Sequence, residues 1–389
     1  MEKNIEQLMF SLLRCALCES SLSENERMEL SEEELGSLYA LSKKQDVAHI
    51  VGYALEKEKL LSHESSFFAK FQKQQMIAIL RQERLDYELS QIRGVLEAAK
   101  IRFLPLKGSV LRSLYPVAWL RTSCDIDVLV DEAQLDSCVA LLCEKLGYTT
   151  DGERNYHDIS MYSSNGVHLE LHFSIKENMD SIDKLLSEVW SYAVLIDEKE
   201  YQYRLTNEYL IFYCIAHMAH HFVNGGCGIK PFLDLFLIQK NIEFNLETVR
   251  EFCSICNLQT FYEKVTELMH AWFEDKSKSD LILKMQSYIL QGGVYGTLEN
   301  KVITKQGISG GKFKYAWSRI FLTSKTLMNY YPCIKKHIWL TPFCQIHRWF
   351  KIFSNGHRFR QSVNELKSNN SISKENVTEM TRLLKEIGL

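Results

Sequence analysis

The stretch 105-PLKGSVLRSLYPVAWLRTSCDIDVLV-130 decides how this chain folds. Side chains at i and i+2 of a strand share one face, about 6–7 Å apart. In a strand over 125–130, Asp125 and Asp127 therefore project together, while Ile126, Val128 and Val130 take the opposite, buried face. Two carboxylates that close repel, and they stay ionised cheaply only around a cation. An empty site of this kind should be relieved by neutralising Asp127, so Asp127→Asn is expected to melt at the same temperature or higher without metal. Upstream, 101-IRFLPL-106 suits a short buried strand. Lys107-Gly108-Ser109 then turns into a helical VLRSLY. Gly108 lets backbone approach a ligand closely, and Ser109 with a helix N-terminus offers donors to a phosphate.

Outward from this stretch the period changes. Ser31 with Glu34 forms a capping-box pattern before a helix, and residues 67–100 keep helical spacing over many turns. Residues 131–148 return to helix. Segments 157–164 and 167–175 flank a Ser-Asn-Gly turn and read as a hairpin. In its second arm Val167, Leu169, Leu171 and Phe173 alternate with His168, Glu170 and His172, so Glu170 joins the aspartates if the strands are neighbours. From about 180 the pattern is helical again. Thr206 is a candidate N-cap, 224-NGGCG-228 interrupts, and Pro231 suits a first helical turn.

Forty-six Lys+Arg against forty-nine Asp+Glu leave a net charge of −3, so no global field recruits nucleic acid or membrane. No stretch approaches ~20 apolar residues, which argues against a spanning helix. The N-terminus lacks a basic start with a small-residue cleavage site, so a cytoplasmic protein is expected. The eleven cysteines read as reduced thiols. Cys15/Cys18 and Cys253/Cys256 have zinc-ligand spacing, but they lie far apart in amphipathic helical patterns and read as core residues. His217 and His221 stand at i and i+4 as in zinc proteases, yet Met218 replaces the Glu that such sites need; packing and hydrogen bonding compete with a ligand role. From 300 to 364 there is no acid, while twelve Lys and Arg interleave with aromatics. Such a surface can bind nucleic acid, an anionic bilayer or a lipid-linked phosphosugar, or be a solvated basic face packed on acidic regions.

Three hard carboxylates on an open sheet face suit Mg²⁺, which takes few protein ligands and shares substrate phosphates. Gly108-Ser109, Asp125-Ile126-Asp127 and Glu170 together resemble the DNA polymerase beta-like nucleotidyltransferase superfamily. RTSCDIDVLV, HLELHF and HMAHHF followed by FLDL look like its bacterial nucleotidyltransferase branch, over about residues 30–240. Two departures from the general pattern agree with that branch: fifteen residues separate Ser109 from Asp125, and Lys107 stands where an apolar residue is usual.

The resemblance implies an α+β fold, with a small mixed-sheet nucleotidyltransferase core (99–178) between an N-terminal helical region (1–98) and a helical acceptor-side domain (179–300), followed by a basic aromatic helical region (301–389). It implies transfer of NMP from an NTP to an acceptor hydroxyl with two Mg²⁺ ions held by Asp125, Asp127 and Glu170. Glu170 would also take the hydroxyl proton. Lys107, Gly108, Ser109 and Arg121 become candidates for the nucleotide phosphates, with Arg121 alternatively pairing Asp125. His217, His221, Lys230 and Asp234 become candidates for the acceptor side. The acceptor is expected to be a small molecule or sugar. Rival expectations are a toxin- or antitoxin-type enzyme modifying RNA or protein, and a non-catalytic protein binding a sugar or lipid-linked intermediate.

Overall fold

The computed structural model describes residues 4–18, 20–23, 27, 29–274, 276–294, 296–331 and 333–389. Its fold is α+β. Five strands, β1 (Phe103–Pro105), β2 (Asp125–Val130), β3 (Thr149–Arg154), β4 (Asp158–Tyr162) and β5 (His168–His172), form one sheet in the order β1-β2-β5-β4-β3. β2 and β5 run parallel and the other neighbours antiparallel, so the sheet is mixed.

The alternation read in the sequence sets the layers. Ile126, Val128, Val130, Leu169 and Leu171 are buried against Leu89, Ile92 and Leu96 of the Phe68–Ala98 helix and Leu135 and Leu142 of the Leu135–Leu146 helix. Gly147 ends the latter at φ 68°, where a side chain would be strained. The hairpin of β4 and β5 turns through Gly166 at φ 75°. β3 is an addition to the expected elements: its Thr-Thr-Asp-Gly-Glu-Arg sequence has neither alternation nor β-branched residues beyond its first two positions, and only pairing with β4 makes it a strand.

Helices that precede and follow the sheet in the chain share a second apolar core, which joins Ile5–Leu17 and Ala48–Lys57 to Asn207–Val223, Lys230–Asn241 and Gln259–Phe273. Phe10 stacks on Trp272 with ring centroids 4.4 Å apart, and Leu383, Leu384 and Ile387 close the core from the C-terminal end. Loss of a side chain as large as Trp272 there would cost about 3–5 kcal/mol. The Ser31–Glu34 capping box forms in both directions, and Pro231 lies in the first turn of its helix. Thr206 occupies the N-cap position without a side-chain bond. Cys15, Cys253 and Cys256 are buried, and burial pushes the thiols of Cys253 and Cys256 up to about 12 and about 11. Among the described residues no helix is long and apolar enough to cross a membrane.

Candidate active site

The register of β2 and β5 builds the site. Asp125 lies opposite His168, Asp127 opposite Glu170, and Leu129 opposite His172. Because partners in register share a face, two aspartates, one glutamate and two histidines rise from the same side of the sheet. They fall into two overlapping groups. Ligating atoms of Asp125, His168 and Glu170 lie within 4.8 Å of one another, and so do those of Asp127, Glu170 and His172. Glu170 is common to both. His168 Nε2 and His172 Nδ1 are buried without a hydrogen-bond partner. Carboxylate oxygens with the unsatisfied His168 nitrogen form a donor set that fits divalent cations, while His172 turns its bonded Nε2 to the acids.

The two aspartates differ in their electrostatics. Asp127 is buried, and its Oδ1 accepts from Lys107 Nζ at 3.0 Å and from His172 Nε2 at 2.9 Å. Burial alone would raise this carboxyl, but Lys107 and His172 hold it far below the ordinary range. Burial would likewise lower His172, yet its hydrogen bonds to Asp127 and Glu170 lift it to about 9. Asp125 goes the other way: burial raises its carboxyl, and Asp127 and Glu170 raise it further.

Lys107 reaches Asp127 from a strained position. Its φ is 44° at the start of the four-residue Gly108–Leu111 turn of helix, a conformation that costs a lysine roughly 1 kcal/mol or more. Gly108 follows, and a Cβ there would stand 3.1 Å from Ser123 Cβ. Its lack of a side chain therefore admits Ser123. The Ser109 amide donates to Leu106 O, and the Ser109 hydroxyl is buried without a partner.

A cavity of about 390 Å³ opens over the acids, and the helical layer supplies its other wall. Glu177, just beyond β5, accepts from His217 Nδ1 at 2.6 Å, and His217 Nε2 meets His221 Nε2 at 3.0 Å. His220 Nδ1 donates to the Glu177 carbonyl at 2.8 Å. Burial would raise the Glu177 carboxyl, but His217 and His220 hold it down at about 2. His221 is pushed down to about 3 by burial and then by its two histidine neighbours.

The remaining candidates from the sequence form a seam between sheet and helices. Arg121 grips Asp234 with two bonds, Nε to Oδ1 at 2.6 Å and Nη2 to Oδ2 at 2.7 Å, and Tyr115 OH donates to the same Oδ1 at 2.8 Å. Arg121 thus pairs with Asp234 and not with Asp125. Lys230 Nζ bonds Thr122 Oγ1 at 2.8 Å and also Asp46. Both seams border the cavity.

Sequence reasoning brought Asp125, Asp127 and Glu170 together, and the structure places them on one face. It passed over His168, His172 and Glu177. The His-x-Glu-x-His spacing carried the signal for the first two, since i and i+4 of a strand share the face of i+2. Glu177 had no local signature.

Residues 31–274 match the model of a family described as "Uncharacterised nucleotidyltransferase". No curated protein and no solved structure matches the chain.

Proposed function

The chain belongs to that nucleotidyltransferase family, and from its site we propose an enzyme of the DNA polymerase beta-like type that moves NMP from an NTP to an acceptor hydroxyl. The observation that carries this reading is the Asp127–Glu170 register, which makes Glu170 a member of both ligating groups. Asp125, Asp127 and Glu170 would hold two divalent cations, with His168 and His172 beside them. Bound there, the cations would neutralise charge on the triphosphate and lower the pKa of the acceptor hydroxyl.

The chain's own groups do the rest. Glu170 takes the proton of the acceptor hydroxyl, whose oxygen bonds to the α-phosphorus as the bond to the β-phosphate oxygen breaks and pyrophosphate leaves. Lys107, already at the acids, is the cation nearest the transferred charge, and Gly108 lines the same cavity. His217 and His221 line the acceptor's side, held by Glu177. A small molecule or sugar suits a cavity of this size better than a folded macromolecule.

The test is incubation of the protein with each α-labelled NTP, Mg²⁺ or Mn²⁺ and a cell extract. Label should appear on one acceptor, with pyrophosphate released, and should vanish with Asp127→Asn. Neither transfer nor metal-dependent NTP binding with any nucleotide would sink the reading in favour of a non-catalytic binding protein.

A further inference from the structure

The helix Thr341–Ser354 already has a packing face. Cys344 sits in a small apolar cluster with Leu327 and Ile334, and the buried Gln345 ties the helix to Ile320 O at 2.7 Å. Its outer face carries a second apolar stripe with no such partner. Trp339 in the turn before it, then Phe343, Ile346, Phe350 and Phe353, follow at steps of four, three, four and three, the spacing of one helical face. These side chains are 66, 63, 46, 70 and 68% exposed. A soluble surface rarely lines up five large apolar residues in this way.

Charge identifies what covers them. Within 300–364 there is no acid, and exposed Lys335 and Lys336 lead into the stripe. Lys325 is paired by Asp180 and Arg319 by Glu365, both acids outside the region; the side chain of Arg358 lies outside the described residues. A second copy of this chain would set basic face against basic face. A nucleic acid would use the lysines and some of the rings, but Ile346 has no π-face to stack, and the stripe runs along an outward helix face instead of following a strand-tracking groove. An anionic bilayer uses both features: aromatic and aliphatic side chains enter the boundary between headgroups and acyl chains, while lysines stay at the phosphates. Phe353 also lines a mostly apolar cleft of about 470 Å³ with Ile320, Trp349, Ile352 and Phe359, whose lining also includes Arg319, Arg348 and Glu365.

We propose that this helix lies in the surface of an anionic membrane, with the Trp339–Phe353 stripe inserted and the protein bound peripherally. The proposal is independent of the chemistry at the acids. It is tested by floating the full-length protein with phosphatidylcholine vesicles with and without phosphatidylglycerol, at low and at physiological salt. The protein should float with the anionic vesicles, less so as salt rises, and Phe343→Ser/Phe350→Ser should bind at least about tenfold more weakly with an unchanged melting curve, because both rings are exposed. Lys335→Gln/Lys336→Gln should weaken binding in the same direction without touching the stripe. Absence of flotation at low salt, equal flotation with neutral vesicles, or a self-association that the serine variant abolishes without any vesicle binding would each overturn it.

Discussion

Lys107 Nζ lies 3.0 Å from Asp127 Oδ1, an oxygen that also accepts from His172 Nε2 at 2.9 Å. The protein thus meets the charge of one aspartate with its own cations and leaves the other, Asp125, facing two acids. The expectation that neutralising Asp127 relieves the empty site is therefore reversed, and Asp125 becomes the acid whose neutralisation should relieve it. With metal chelated, Asp125→Asn should melt at the wild-type temperature or higher. Asp127→Asn should be less stable by about 1–3 kcal/mol, since it strands a half-buried ammonium; water reaching Lys107 keeps this below the cost for a fully buried pair. Thermal melts of both variants in EDTA decide the matter, and equal shifts would contradict the asymmetry.

His168, grouped with Asp125 and Glu170 on the acid face, bears on metal choice. Imidazole suits Mn²⁺ better than Mg²⁺, which favours oxygen ligands almost alone. Isothermal titration should show Mn²⁺ binding at least about tenfold more tightly than Mg²⁺, and His168→Ala should narrow the gap. Wild-type and His168→Ala proteins with the same preference would show that this imidazole stays out of the coordination.

His49 gives the fold an acid-sensitive point away from the acids. Its ring is buried, with Nε2 donating to Leu120 O at 3.0 Å, and burial followed by the nearby Lys230 pushes it down to about 4. A histidine whose folded pKa lies below its unfolded value near 6.5 binds fewer protons folded than unfolded between the two, so stability falls as pH drops through that window. The loss from this group by pH 4 should approach about 3 kcal/mol. Urea unfolding of wild type and His49→Gln at pH 7 and pH 5 checks it: the variant should lose less on acidification.

What the sequence displayed was local. Asp125-Ile126-Asp127 and the His168–His172 alternation named the acids and their face because strand periodicity is written into neighbouring residues. The Gly166 turn announced its hairpin in the same way. The parallel pairing of β2 with β5 joins segments some forty residues apart, and no local pattern selects it over other orders. Arg121 and Asp234, and Lys230 and Asp46, meet across far longer separations, and Glu177 and His217 across a similar one, so their residue types suggested charge chemistry without naming the partner. Lys107 illustrates the consequence. Its place beside Gly108 suggested a phosphate, while its nearest anion is the aspartate twenty residues on.

The Glu177–His217–His221 chain should matter to the acceptor and not to the nucleotide. Glu177 fixes His217 through a 2.6 Å bond, and His217 in turn holds His221. Glu177→Gln removes the charge that orients both rings, so transfer should slow by about 10–100-fold through the acceptor's kcat/KM. NTP affinity should stay at the wild-type value, because the acids are untouched. A loss of NTP binding equal to the loss of rate would move this chain to the nucleotide side.

Arg121 admits two roles that one experiment separates. If it serves the nucleotide, Arg121→Gln costs NTP affinity whatever stands at 234. If it serves the seam, its energy resides in the two bonds to Asp234, a carboxylate also held by Tyr115 and buried where sheet meets helices. Breaking one partner of such a pair leaves the other charge unmatched, and each single substitution, Arg121→Gln or Asp234→Asn, should cost about 3 kcal/mol of stability. The double substitution leaves no orphan charge, so it should cost clearly less than the sum, with a coupling of about 2 kcal/mol or more in urea unfolding. Additive losses together with NTP binding weakened only by Arg121→Gln would assign the guanidinium to the phosphates. Strong coupling with NTP binding intact would make it the bolt that keeps the helical wall over the acids.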